Sequence, residues 1–128
     1  MPYLLWHEGN RSEIDSVEGL DRALDRLTTE AREDIPFAVQ VCLDDRTAML
    51  IVVGRDESHL EFTSPSSRPL VVGCEGPWDD DEPIELTHGG QWSELPRRYW
   101  VPTSEAREAV RAFLRTGTRP NNIRWGSD

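Results

Sequence analysis

His7, His59, His88, Cys42 and Cys74 are the side chains whose chemistry could ligate a metal, relay a proton or act as a nucleophile. Motifs of the HExxH or CxxC kind hold two ligands about one turn apart so that both reach one ion. None of the three histidines stands at such spacing from another His or Cys. The H-x-E and P-C-x-x-C signatures of a zinc-dependent nucleobase deaminase are missing. So are a GxSxG elbow, a P-loop and a GxGxxG turn. Gly73-Cys74-Glu75-Gly76 lacks the Lys-Ser/Thr that must follow a phosphate cradle. His7 beside Glu8 reads as a surface pair, and a Ser/His/Asp triad gathered from distant segments leaves no local signature. The expectation is no catalytic residue, no cofactor and no metal site, with Cys42 and Cys74 as buried, reduced thiols.

Binding chemistry is better represented. Trp78-Asp79-Asp80-Asp81-Glu82 sets an aromatic beside a run of carboxylates, a combination suited to an Arg- or Lys-rich surface with the indole as anchor. These five residues are the candidate partner-binding site. The alternative is a solvated acidic loop with Trp78 tucked beneath it. Trp92, Trp100 and Trp125 read as core aromatics near element ends. Arg107, Arg111 and Arg115, four apart, read as the solvated face of a helix, with a basic contact stripe as the other reading.

The elements that must position these residues follow from periodicity. Pro2 to Glu8 reads as a strand closed by Gly9-Asn10. Asp15 with Glu18 suggests a capping box, and Val17, Leu20, Leu24, Leu27 and Ala31 recur at helical spacing. Phe37, Val39, Val41 and Leu43 alternate as a strand, and Thr47 to Val53 is apolar enough to be central in a sheet. Leu60 and Phe62 alternate with His59 and Glu61, and Leu70-Val71-Val72 makes a further strand. The stretch from Gly73 to Gly90 is loop-rich, with only Ile84-Glu85-Leu86 strand-like. Thr103 and Ser104 offer capping hydroxyls to a second helix, whose stripe is Ala106, Ala109, Val110, Phe113 and Leu114. Gly117 ends that helix, and Ile123 and Trp125 suggest a last short strand. The spacing predicts one α+β domain over residues 1–128: a mostly antiparallel sheet with two helices, near 16–32 and 104–116, packed on one face.

Composition narrows the partners. The chain has 128 residues and 24 Asp+Glu against 14 basic residues, all Arg, for a net charge of −10. The first 95 residues hold 21 of the acids and 7 Arg, and the remainder holds 3 acids and 7 Arg. An acidic body repels phosphate and anionic lipid and attracts basic proteins, so neither direct nucleic-acid binding nor membrane binding is expected. The longest apolar run, Ala48 to Val53, is too short for a bilayer, and the opening Met1-Pro2-Tyr3-Leu4-Leu5-Trp6 has no basic n-region or small-residue cleavage site, so no secretion signal is expected. The expected location is the cytoplasm.

The segment Val101-Pro102-Thr103-Ser104-Glu105-Ala106-Arg107-Glu108-Ala109-Val110-Arg111-Ala112-Phe113-Leu114-Arg115-Thr116-Gly117-Thr118-Arg119-Pro120, ending Ile123-Arg124-Trp125, resembles the first-numbered immunity-protein family (Imm-one) of bacterial polymorphic toxin systems. Leu70 to Trp78 and Gly89-Gly90-Gln91-Trp92 are similar to that family's Gly- and Trp-rich middle, so the resemblance spans roughly residues 47–125. It departs at Arg97-Arg98-Tyr99-Trp100-Val101-Pro102, where the family usually carries an acidic Ser-Glu-Ile-Pro lead-in. The resemblance implies an immunity protein that binds and neutralises a cognate toxin domain, often a nucleic-acid deaminase. Two rivals stay open: a small acidic secretion chaperone, which would dimerise around an unfolded segment, and a small enzyme with an unrecognised site. The oligomeric state is open, with the monomer preferred.

Overall fold

A computed structural model describes residues 2–32, 35–64 and 70–126, with the backbone alone for 70–72. The first expected strand is a hairpin. β1 (Tyr3–Trp6) pairs antiparallel with β2 (Asn10–Glu13) across a turn in which His7 (φ 51°) and Gly9 (φ 88°) take left-handed conformations. α1 (Val17–Arg32) follows and buries Leu20, Ala23, Leu24, Leu27 and Ala31. Its cap is Ser16, whose Oγ accepts the Gly19 N–H at 3.0 Å, so the expected box from Asp15 is displaced by one residue. β3 (Phe37–Cys42) and β4 (Ala48–Val53) form the central hairpin. Its turn is tied by Asp44 Oδ1, which accepts the N–H groups of Arg46 and Thr47.

β5 (Glu57–Ser58), β6 (Leu60–Ser64) and β7 (Leu70–Gly73) continue the chain. The strand-like Ile84-Glu85-Leu86 within the loop-rich stretch extends to β8 (Pro83–His88), which forms a second hairpin with β9 (Gln91–Pro96), turning at Gly89 and Gly90 with φ of 60° and 83°. A 3₁₀ turn (Arg97–Tyr99), β10 (Val101–Pro102) and α2 (Thr103–Thr116) complete the described elements. The main sheet runs β2-β1-β3-β4-β6-β7, all antiparallel, and β8 joins β3 through one parallel bridge, Phe37 to Thr87. β10 pairs with β5 alone. At the carboxy end the expected strand reduces to a single bridge, Cys74 to Trp125, with Ile123 buried beside it.

The alternation of β3 and β4 creates two faces. Phe37/Val53, Val39/Ile51 and Val41/Met49 face α1 and α2, and join one core with Leu4, Leu60, Ala106, Ala109, Val110 and Phe113. The helices therefore pack on one face of a mostly antiparallel sheet, as the periodicity predicts. Leu114 is only partly buried, at the margin of that core. The other face is not bare. Ala38, Leu50 and Val52 pack against Ile84, Leu86 and Trp100. A strand apolar on both sides needs a cover on both sides, and the second hairpin supplies it.

Two further expectations change. Thr103 does not cap α2. Its hydroxyl donates to the Arg55 carbonyl at 2.9 Å, and its N–H donates to the Asp56 carbonyl, so the helix start is anchored to the β4–β5 turn. Arg107 and Arg111 are not a solvated face. Arg107 reaches Asp25 at 2.8 Å and Asp21 at 3.4 Å, and Arg111 reaches Asp21 at 2.9 Å. They tie α2 to α1, and Arg115 alone of the three is exposed. Gly117 ends α2 with φ 74°, its N–H donating to the Phe113 carbonyl.

Candidate functional site

The loop Trp78–Glu82 joins the end of β7 to β8, and its shape is set by the segment 97–100. Gly76 lets the two backbones cross. Its N–H donates to the Arg98 carbonyl at 2.7 Å, and a Cβ there would stand 1.5 Å from the Trp100 carbonyl oxygen. Arg97 then organises the loop. Its guanidinium lies 4.8 Å from the Trp78 ring centre, its Nε donates to Glu57 at 3.0 Å, and its Nη1 donates to Asp80 at 3.4 Å. Its own N–H donates to the Glu82 carbonyl. Arg98 pairs with Asp81 at 3.1 Å.

The four carboxylates named from the sequence are exposed, and Trp78 is half-buried against the second core. Asp80 and Asp81 carry ion pairs, whereas Asp79 and Glu82 have none among the described residues. The acidic run and the divergent Arg97-Arg98-Tyr99 segment are therefore one surface. A cleft of about 240 Å³ beside them is lined by Glu75, Gly76, Trp78, Asp79, Arg98, Tyr99 and Arg124. It offers charge and one aromatic.

Sequence reasoning assigned Trp92 to the core, and the structure overturns this. Trp92 is 59% exposed on β9, while Trp100 is wholly buried and Trp125 packs at the margin of the helix-side core. The signal that could have found it was Gly89-Gly90 between alternating residues, the mark of a two-residue hairpin turn.

The fold also joins groups that sequence spacing kept apart. His59 is buried. Its Nδ1 donates to the Tyr99 carbonyl at 2.7 Å and its Nε2 donates to Glu61 at 3.0 Å, with Cys74 Sγ 3.7 Å from Nδ1. A cysteine, a histidine and a carboxylate in line resemble a nucleophile, its base and an orienting acid. The geometry speaks against that use. Cys74 has no exposed surface, and its sulfur takes the Leu60 N–H at 3.2 Å and donates to the Tyr99 carbonyl at 3.3 Å. Both ring nitrogens face oxygen acceptors, so the ring is held as imidazolium and cannot accept a proton. Burial alone would depress its pKa. The hydrogen bonds with Cys74 and Glu61 outweigh burial and push it up to about 10. The cluster fastens the 97–100 segment to β6 and thereby supports Arg97 and Arg98.

Cys42 and Cys74 are both free and buried. Among the described residues, no group of three or more His, Cys, Asp or Glu is placed to hold a metal ion, and no helix is long and apolar enough to cross a membrane.

The exposed geometry is thus carboxylates and arginines on a pinned loop, a half-buried indole beneath them and one exposed indole, Trp92, on the hairpin. The family model of Immunity protein Imm1 matches residues 8–127, nearly the whole chain, and the chain belongs to that family. Membership implies an immunity protein, a class that acts by binding a cognate toxin protein. The match reaches back over α1 and β3, well before the segment that carried the sequence resemblance. No curated protein matches the chain.

Proposed function

We propose that this protein neutralises one cognate toxin domain by stoichiometric binding in the cytoplasm of the producing cell, acting as a monomer without chemistry of its own. The toxin is of the nucleic-acid-acting kind, a deaminase being the first candidate. Trp78, Asp79, Asp80, Asp81 and Glu82 lie at the contact. The observation that carries this reading is the family match over residues 8–127. The site geometry supports it. Arg97 and Arg98 hold the loop in one shape, which lowers the ordering cost of association. Asp79 and Glu82 keep their charge free to steer a basic partner. A domain that handles nucleic acid presents a basic groove, and an acidic protein of net charge −10 is complementary to it.

The test is co-expression with the toxin encoded beside the gene, followed by co-purification with the isolated toxin domain. A one-to-one complex with the folded domain and survival of the cells are expected. A dimer that holds only an unfolded segment of the partner would establish the chaperone reading instead.

A further inference from the structure

The outer face of the β8–β9 hairpin is an uncovered sheet face as far as Thr87, which is half-buried and borders a cleft with Phe37, Glu30 and Ala31. Ile84 and Leu86 point into the second core, so the alternate row, Pro83, Glu85 and Thr87, points out. The antiparallel register sets Pro96, Glu94 and Trp92 opposite that row: Pro83 to Pro96, Glu85 to Glu94, Thr87 to Trp92. The face therefore runs in three rungs from the end of the acidic loop to the Gly89-Gly90 turn. Trp92 at its far end is the one large hydrophobic side chain exposed among the described residues.

The middle rung makes this face unusual. Residues directly opposite in an antiparallel pair bring their Cβ atoms within about 5 Å, and two like charges there repel. Glu85 and Glu94 are both exposed, and neither has an ion pair among the described residues. Nearby carboxylates are treated differently: Glu57 and Asp80 share Arg97, Asp81 has Arg98, and Glu61 has His59. A solvated indole and an uncompensated carboxylate pair both cost the free protein something, and a single cation relieves both. A guanidinium seated between the two carboxylates can donate to both and lay its plane against the neighbouring indole.

We propose that this hairpin face docks a basic patch of the partner toxin domain, with an Arg or Lys side chain of the toxin held between Glu85 and Glu94 and packed against Trp92. The inference rests on the immunity reading above and extends its contact surface beyond the acidic loop. Charge complementarity selects the occupant. A second copy of this acidic chain would set carboxylates against carboxylates, and an anionic lipid or nucleic acid would be repelled.

The experiment measures toxin binding and thermal stability together for the parent, Trp92→Ala, Glu85→Gln/Glu94→Gln and Glu94→Arg, with Glu108→Gln on α2 as the control. Removing the repulsion should leave the melting temperature of the double variant unchanged or higher. Its affinity should fall about tenfold or more, and the salt dependence of association should flatten. Glu94→Arg supplies an internal partner for Glu85, so it should melt higher than the parent and yet bind least. Trp92→Ala should melt like the parent and dissociate about tenfold faster or more. Stability gained while binding is lost cannot come from unfolding. If all the hairpin variants bind within twofold of the parent, or if binding falls only in step with stability, this docking face is wrong and the immunity reading stands on the parent's binding. If the parent itself neither binds nor protects, the immunity reading fails and takes this inference with it.

Discussion

The Nε2 of His59 lies 3.0 Å from the Glu61 carboxylate, while Nδ1 of the same ring lies 2.7 Å from the Tyr99 carbonyl oxygen. The carbonyl can only accept, and the Glu61 carboxyl, held below its ordinary pKa by the His59 hydrogen bond, accepts as a carboxylate, so the pair exists as imidazolium and carboxylate with the ring buried. One ring thereby links β6, where Glu61 sits, to the segment that carries Arg97 and Arg98.

This pair makes stability depend on pH in a defined direction. The folded-state pKa of His59 stands near 10, above the ordinary 6.5, through the Cys74, Glu61 and Tyr99 hydrogen bonds acting against burial. Its contribution is then complete below about pH 6.5 and fades as the pH climbs through 10. Glu61 is held below its ordinary 4.5, chiefly by the His59 hydrogen bond with burial opposing, so its share is present above that value and is lost on acidification. The melting-temperature gap between the parent and His59→Gln should therefore be widest between about pH 4.5 and 6.5 and narrow toward pH 10. A gap of constant size from pH 6 to 10 would show that the ring is neutral in the fold.

Gly76 and Gly89 should respond very differently to alanine. At Gly76 the added carbon would stand 1.5 Å from the Trp100 carbonyl oxygen, a backbone atom with no freedom to move aside. Gly76→Ala should cost about 3 kcal/mol or more and release the loop from the 97–100 segment. At Gly89 nothing lies within 4 Å and only the positive φ of 60° is strained, so Gly89→Ala should cost about 1 kcal/mol. Urea denaturation midpoints decide the matter, and equal losses would refute the crossing described above.

Arg111 and Asp21 provide the test of the helix clamp. The pair is about one-third exposed and shares Asp21 with Arg107, so a double-mutant cycle of Asp21→Asn and Arg111→Gln should return a coupling of about 0.5–1 kcal/mol. A coupling of zero would restore the solvated-face reading.

The acidic loop should act on association more than on dissociation. Replacing Asp79, Asp80, Asp81 and Glu82 by Asn or Gln should slow toxin binding and weaken affinity by about 1–3 kcal/mol, with little change in melting temperature because these charges are solvated. Trp78→Ala needs its stability measured alongside binding, since the ring packs on the second core beneath Arg97 and should lose about 1–3 kcal/mol of fold stability. Unchanged association by the folded, charge-neutral loop would move the interface off this loop, first to Arg97, Arg98 and Tyr99.

Local order was written in the chain itself. The helical stripe from Leu20 to Ala31, the alternation of Phe37, Val39 and Val41, the apolar run ending at Val53 and the Gly117 stop each depend on residues a few positions apart. Those periods carry the α+β class and the helix-covered face, and the tail from Val101 to Trp125 carried the family. Tertiary contact decided the rest. Arg107 meets Asp21 across 86 residues, so no reading of α2 alone could tell a clamp from a solvated stripe. His59 meets Tyr99 across 40 residues, and its burial depends on the segment laid over it. Trp92 and Trp100 look alike in sequence. The hairpin turn at Gly89-Gly90 leaves one in solvent, and the chain's return to β5 seals the other between Leu50, Val52 and Leu86. An aromatic is buried or exposed according to what crosses it, and that is a property of the assembled layers, not of its neighbours in the chain.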